Sequence, residues 1–160
     1  MHHLGADWAW LAFCYLALVA GVAAWIDQRT SLIPNRLTLP SYPVLAGLMA
    51  IPAVVAGDRN PLGRALVGGA GLGLIYLVMA LIAPGQMGIG DVKLAGLLGM
   101  GLAYAGWSAL VVGAVAGPLL GAAQGLLLLA KGHGARRSFP FGPAMSLGAL
   151  VGLGAGLLTG

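Results

Sequence analysis

Charged residues are scarce in this sequence. Asp, Glu, Lys and Arg together make up 8% of its 160 residues, whereas 59% are hydrophobic. A water-soluble domain needs more polar surface than this, so the composition excludes an ordinary globular protein. Several apolar runs are long enough to cross a bilayer. We therefore expect residues 1–160 to form one domain, an all-α, polytopic membrane helix bundle.

Cysteine is almost absent, because Cys14 is the only one in the chain. A single cysteine excludes an intrachain disulfide and a cysteine zinc cluster, and we expect neither a metal nor a cofactor. The excess of basic residues is small, with a net charge of +4, and these residues are scattered among the loops between apolar runs. That distribution indicates membrane topology rather than nucleic-acid binding.

The apolar runs predict six membrane-spanning helices. The run from Leu94 to Ala130 exceeds the roughly 20 residues that one crossing needs, so we split it at Tyr104–Ser108, where Tyr104 and Trp107 are typical interfacial residues. The predicted spans are Trp8–Ile26, Tyr42–Ala56, Ala65–Ala83, Leu94–Ala103, Ala109–Ala130 and Phe141–Leu158. The third span contains GGAGLG, which lacks the strand and lysine of a phosphate loop and is better explained by close helix packing.

The positions of Lys and Arg orient the bundle with its N-terminus outside, because most of them then fall in inner loops. The inner residues are Arg29, Arg36, Lys93, Lys131, Arg136 and Arg137, and the outer ones are Arg59 and Arg64. Of the four acids, Asp7 and Asp58 then lie outside, whereas Asp27 and Asp91 lie on the cytoplasmic side. Two carboxyls at the same membrane depth can meet.

These two aspartates are the candidate functional groups. Asp27 follows the first apolar span, and Asp91 follows Gly-x-Gly in GQMGIGDVKL. Charge placement alone is also compatible with two solvated aspartates that are unrelated in space. If the carboxyls meet, they share one proton and titrate as a unit. One can then activate water while the other stabilises the oxyanion of a scissile amide, which is the chemistry of a metal-free peptidase.

Three motifs in order resemble the type IV prepilin peptidases, membrane aspartic proteases of the GxGD class. The motifs are Asp27 with LIPNRLT (Leu32–Thr38), MGIGDVKL (Met87–Leu94) and FPFGPAMSLGAL (Phe139–Leu150). The resemblance implies an aspartic endopeptidase that cleaves the N-terminal leader of a prepilin or pseudopilin. It also implies a multi-pass protein of a prokaryotic inner membrane, in contact with lipid and with its active site facing the cytoplasm.

The resemblance assigns roles to individual residues. It makes Asp27 and Asp91 the catalytic pair, and Gly88 and Gly90 the glycines of the GxGD motif, which we expect to leave room for a substrate backbone. The other substrate-binding or motif-supporting residues that it implies are Lys93, Pro34, Asn35, Phe141, Gly142 and Pro143. The last three belong with Pro140 to a PFGP turn, which a helix-start proline motif explains equally well.

The sequence also departs from the family pattern. Many bacterial members have a longer N-terminal region with a cysteine-bearing domain linked to N-methylation, so the resemblance implies a peptidase without methyltransferase activity. Two other functions stay open: a small proton- or cation-coupled transporter that uses the two aspartates, and a non-catalytic assembly protein of a pilus or secretion system. The position of the acids at one membrane face, rather than at the midplane, argues against the transporter.

Overall fold

The part of the chain that the structure describes forms six helices. The computed structural model describes residues 2–30, 32–82, 84–85, 87–131 and 141–159, and the regular structure in these ranges is entirely helical. The helices are α1 (His2–Thr30), α2 (Asn35–Ala56), α3 (Asn60–Ile82), α4 (Ile89–Ala105), α5 (Trp107–Ala130) and α6 (Gly142–Thr159). The predicted all-α bundle is confirmed, and so is the division of the long apolar run just before Trp107.

Within the described ranges, four helices are long and apolar enough to cross a membrane. Their spans are Ala9–Thr30, Asn35–Ala56, Asn60–Ile82 and Trp107–Ala130. Large apolar side chains such as Leu66 and Leu119 point outward from them, which is stable where lipid rather than water covers the surface. The chain is therefore a polytopic helical membrane protein. Six crossings remain a prediction, because α4 and the apolar part of α6 (Gly142–Gly156) are shorter. The external N-terminus also remains a prediction.

Helix α4 lies at the centre of the bundle. It contacts each of the other five helices, and every residue from Leu94 to Ala103 is buried. Glycines allow this packing: a Cβ added at Gly99 would lie 2.6 Å from the backbone oxygen of Gly68, and one added at Gly68 would overlap Ala103. Helices in lipid associate through such small residues, so the interpretation of GGAGLG as helix-packing positions is confirmed.

At the candidate site, three helices extend beyond the predicted apolar spans, and this changes the surroundings of the site. Helix α1 continues to Thr30, so Asp27 lies within its last turn rather than after it. Helix α2 begins at Asn35, preceded by Pro34 in an extended conformation, and α4 begins at Ile89, ahead of Asp91. The predicted ends were wrong because apolar composition stops at the membrane surface, whereas backbone hydrogen bonding continues into the polar interface.

Candidate active site

A cavity of about 730 Å³ opens at the end of the bundle where α1 ends and α4 begins. Its walls come from the last turn of α1, the α1–α2 connection with the start of α2, and the start of α4. The lining residues are Ile26, Asp27, Thr30, Leu32, Ile33, Pro34, Asn35, Gly88, Ile89, Gly90 and Asp91. Both candidate catalytic aspartates therefore border one cavity, together with the predicted residues of the LIPN and GxGD segments.

Asp27 is held by the first residue of α6. Only 3% of Asp27 is exposed, and its Oδ2 accepts a hydrogen bond of 2.8 Å from the backbone N–H of Gly142. A helix N-terminus offers free N–H groups and a positive partial charge, which favour a carboxylate. The approach requires glycine, because a Cβ added at Gly142 would lie 2.9 Å from the same oxygen. Gly142 thus binds the aspartate and does not line the cavity.

Asp91 lies in the first turn of α4 and is also buried. Its Oδ2 accepts a hydrogen bond of 2.9 Å from the N–H of Gly88, and its own N–H donates to the Gly88 carbonyl at 3.1 Å. This reciprocal pair resembles a capping box in which a backbone carbonyl replaces the usual side chain. The second oxygen, Oδ1, is buried and has no hydrogen-bond partner among the described residues.

Burial raises the pKa of Asp91 to about 6. The residue lies outside the four candidate membrane spans. Loss of solvent is the main cause; the Gly88 N–H lowers the pKa, and the charge of Asp27 raises it. Because both carboxyls border one cavity, a charge on one disfavours ionisation of the other. An aspartate that keeps its proton toward neutral pH, beside a second aspartate, is the arrangement that paired acid–base catalysis needs.

The two glycines of the GxGD motif have different surroundings. A Cβ added at Gly90 would lie 2.8 Å from the Cβ of Ile33 and 2.9 Å from its backbone oxygen, whereas one added at Gly88 would meet Asp91 Oδ2 at an ordinary 3.6 Å. The α1–α2 connection therefore occupies the position that a side chain at Gly90 would take, although Gly90 also borders the cavity; that it leaves room for substrate stays a prediction. Gly88 borders the open cavity.

Lys93 does not line the cavity and instead connects α4 to α2. Its Nζ donates a hydrogen bond of 2.8 Å to Asn35 Oδ1. Its backbone oxygen accepts a bond of 2.7 Å from the Tyr42 hydroxyl. Lys93 and Asn35, two residues that the resemblance implied separately, are thus bonded to each other and join α4 to the start of α2.

The remaining predicted residues belong to the start of α6. Phe141 packs against α5, where a Cβ added at Gly121 would lie 2.7 Å from its ring. Pro143 is half-buried in the first turn of α6. Neither lines the cavity, and Pro140 lies outside the described residues.

Between Asp27 and Pro34, sequence reasoning assigned no role to Thr30, Leu32 or Ile33, which also border the cavity. The Thr30 hydroxyl donates to the Ile26 carbonyl at 2.9 Å. These residues lie in the short segment between Asp27 and Pro34. Because both ends of that segment were predicted site residues, its position in the sequence could have indicated that the residues between them border the site.

Comparisons with known proteins find relatives of this chain. Residues 14–126, which include both aspartates, match the model of the type IV leader peptidase family. Prepilin leader peptidase/N-methyltransferase of Aeromonas hydrophila is 30% identical over 158 residues, covering 94% of this chain and 51% of that protein. The protein of the same name from Aeromonas salmonicida (strain A449) is 34% identical over 156 residues, covering 94% and 51%.

A relative of the same name from Bacillus subtilis (strain 168) is 32% identical over 142 residues, covering 88% of this chain and 53% of that protein. The chain spans about half the length of the curated relatives it matches. No solved structure matches it. Because the family model covers most of the sequence, including the segments that form the cavity, the chain belongs to the type IV leader peptidase family.

Proposed function

We propose that this protein is an aspartic endopeptidase that removes the N-terminal leader of a type IV prepilin or pseudopilin at the cytoplasmic face of a prokaryotic inner membrane. The observation that carries the proposal is that Asp27 of α1 and Asp91 of α4, both buried, border the same cavity. Family membership supports the substrate class.

The two carboxyls have complementary roles in this mechanism. Asp27, with Oδ2 on the N–H of Gly142, acts as the base and takes a proton from a water molecule. The water oxygen attacks the scissile carbonyl carbon, while protonated Asp91 hydrogen-bonds the carbonyl oxygen and stabilises its developing charge. The C–N bond then breaks as Asp91 gives its proton to the leaving amine. The proton held by Asp27 then passes to Asp91, which restores the starting protonation state of the pair.

Cleavage of a co-expressed prepilin from the same genome tests this proposal. We expect the wild type to trim the prepilin, which a shift in gel mobility detects. Asp27→Asn and Asp91→Asn should each abolish trimming while the protein stays in the membrane. The matched control is Asp58→Asn: this exposed aspartate accepts a bond from the Asn60 N–H through Oδ1, outside the cavity, and the amide oxygen of asparagine can keep that bond.

Two outcomes would contradict the proposal. Near-normal trimming by either Asp27→Asn or Asp91→Asn would exclude that residue from the chemistry. A wild type that trims no cognate prepilin would favour the transporter or assembly functions.

A further inference from the structure

Helix α3 carries a buried tyrosine that neither the sequence motifs nor the proposed chemistry uses. Tyr76 is 3% exposed, and its hydroxyl makes no hydrogen bond to any residue that the structure describes. Phenylalanine would fill the same space in the packing, so the hydroxyl is the part of this side chain that a polar role would use.

Helix register brings Tyr76 to the level of the site. Helices α3 and α4 run antiparallel and pack through small residues. A Cβ added at Gly69 would lie 2.9 Å from the backbone oxygen of Gly96, and one added at Gly73 would lie 3.8 Å from that of Val92. Residues nearer the C-terminus of α3 therefore contact residues nearer the N-terminus of α4. Tyr76 follows on the same buried face and lies level with the first turn of α4.

The first turn of α4 contains a complementary unpaired group. Asp91 Oδ1 is buried without a hydrogen-bond partner among the described residues, and the Tyr76 phenol lies within electrostatic range of this carboxyl. A phenol donates a hydrogen bond and a carboxylate oxygen accepts one. A hydrogen bond from the phenol would therefore give Asp91 Oδ1 the partner that it lacks.

No other described side chain makes a hydrogen bond to Asp91 Oδ1. The charged group that acts on Asp91 from α1 is Asp27, whose Oδ2 is already bonded to the N–H of Gly142. Lys93 of α4 is bonded to Asn35 of α2. From α5, Gly117 limits the position of the tyrosine, because a Cβ added there would lie 3.0 Å from the hydroxyl oxygen.

We propose that Tyr76 is a positioning residue whose hydroxyl donates a hydrogen bond to Asp91 Oδ1. This bond fixes the plane of the carboxyl and stabilises the carboxylate that remains when Asp91 has given up its proton. Its effect on cleavage rests on the proposed function, whereas the hydrogen bond itself does not.

The test is the melting temperature in detergent between pH 5 and pH 8. Because the pKa of Asp91 is raised to about 6, the folded state binds this proton more tightly than the unfolded state. Stability is then fully present at low pH and is lost as pH rises through about 6. Without the hydroxyl the carboxylate is less stable, so Tyr76→Phe should lose about 3 °C more than the wild type over this range.

Matched variants separate this effect from a general loss of stability. The Tyr15 hydroxyl donates to Ser41 Oγ at 3.0 Å, away from the cavity, so Tyr15→Phe should lower the melting temperature equally at every pH. In the Asp91→Asn background, Tyr76→Phe should add no pH dependence. Gly117→Ala displaces the hydroxyl without removing it and should steepen the curve as Tyr76→Phe does.

Cleavage provides a second readout. Tyr76→Phe should lower kcat about fivefold with KM within about twofold of the wild type. A Tyr76→Phe melting curve parallel to that of the wild type overturns the proposal, whether or not a prepilin is trimmed. If the wild type trims no prepilin, the proposed function fails and the melting curves still decide the role of Tyr76.

Discussion

At the scale of single residues, backbone N–H groups from two helix starts hold the two candidate catalytic carboxyls. Gly142 donates to Asp27 from the start of α6, and Gly88 donates to Asp91 from the start of α4. Each carboxyl therefore has one oxygen fixed by the main chain. Because the main chain of a helix moves only as part of the helix, the orientation of each carboxyl depends on where its donor helix lies.

The two GxGD glycines should respond differently to alanine. Gly90→Ala places a methyl group against the Cβ and backbone oxygen of Ile33, at 2.8 and 2.9 Å, and should lower the free energy of unfolding by about 1–3 kcal/mol. Gly88→Ala meets only ordinary contacts and has a φ of −84° that alanine adopts, so its melting temperature should be close to that of the wild type. Thermal unfolding in detergent measures both.

The comparison also has an internal check. Ile33→Ala keeps the Cβ and the backbone oxygen that the new methyl group would meet, so it should not rescue Gly90→Ala. Equal stability of the two glycine variants would contradict the packing at Gly90.

Several of these residues were predictable from the sequence, but most of their contacts were not. The motifs identify Asp27, Asp91, Gly88 and Gly142 as members of one site. The bond between Gly142 and Asp27 joins residues 115 positions apart, and only helix packing brings them together. Tyr76 belongs to none of the motifs, and its place within an apolar run looks like ordinary core.

At the scale of helices, one residue of α4 makes two hydrogen bonds to α2, one through its side chain and one through its backbone carbonyl. Lys93 bonds Asn35 through its side chain and Tyr42 through its carbonyl. The close approach of Tyr42 is possible because Gly96 has no side chain: an added Cβ would overlap the tyrosine hydroxyl. The cavity wall formed by Pro34 and Asn35 is therefore fixed relative to the helix that carries Asp91.

A double-mutant cycle tests this connection. Lys93→Met and Asn35→Ala should each lower the free energy of unfolding by about 1 kcal/mol. The double variant should lose little more than either single one, because both substitutions remove the same hydrogen bond. Thermal unfolding in detergent is the measurement, with Arg36→Met as the matched control, since Arg36 is exposed. Fully additive losses would show that the two side chains do not interact.

At the scale of the whole molecule, apolar composition predicts how many helices form but not which helix lies in the middle. The fourth predicted span was the shortest, and it is the most completely buried. Composition marks a helix as apolar whether lipid or protein surrounds it. The distinction came instead from the glycines on α3 and α4, whose packing contacts become visible only in the assembled bundle.

The predicted orientation is testable by labelling from one side. In a Cys14→Ala background, Arg59→Cys lies in the connection between α2 and α3, and Lys131→Cys lies just after α5; both positions are exposed. Because the basic residues predict an external N-terminus, a membrane-impermeant maleimide should label Arg59→Cys in intact spheroplasts. Lys131→Cys should react only after lysis, and the opposite pattern would reverse the topology.

The central position of α4 also bears on how the protein is made. Its 17 residues extend about 26 Å, less than the roughly 30 Å of a hydrocarbon core, and its buried stretch gains its contacts from other helices rather than from lipid. We expect α4 to insert poorly into the membrane by itself during synthesis. It should reach a stable position only when α3, and then α5, pack beside it. The aspartate that it carries would then reach its final surroundings late in biogenesis, after the chain has left the ribosome.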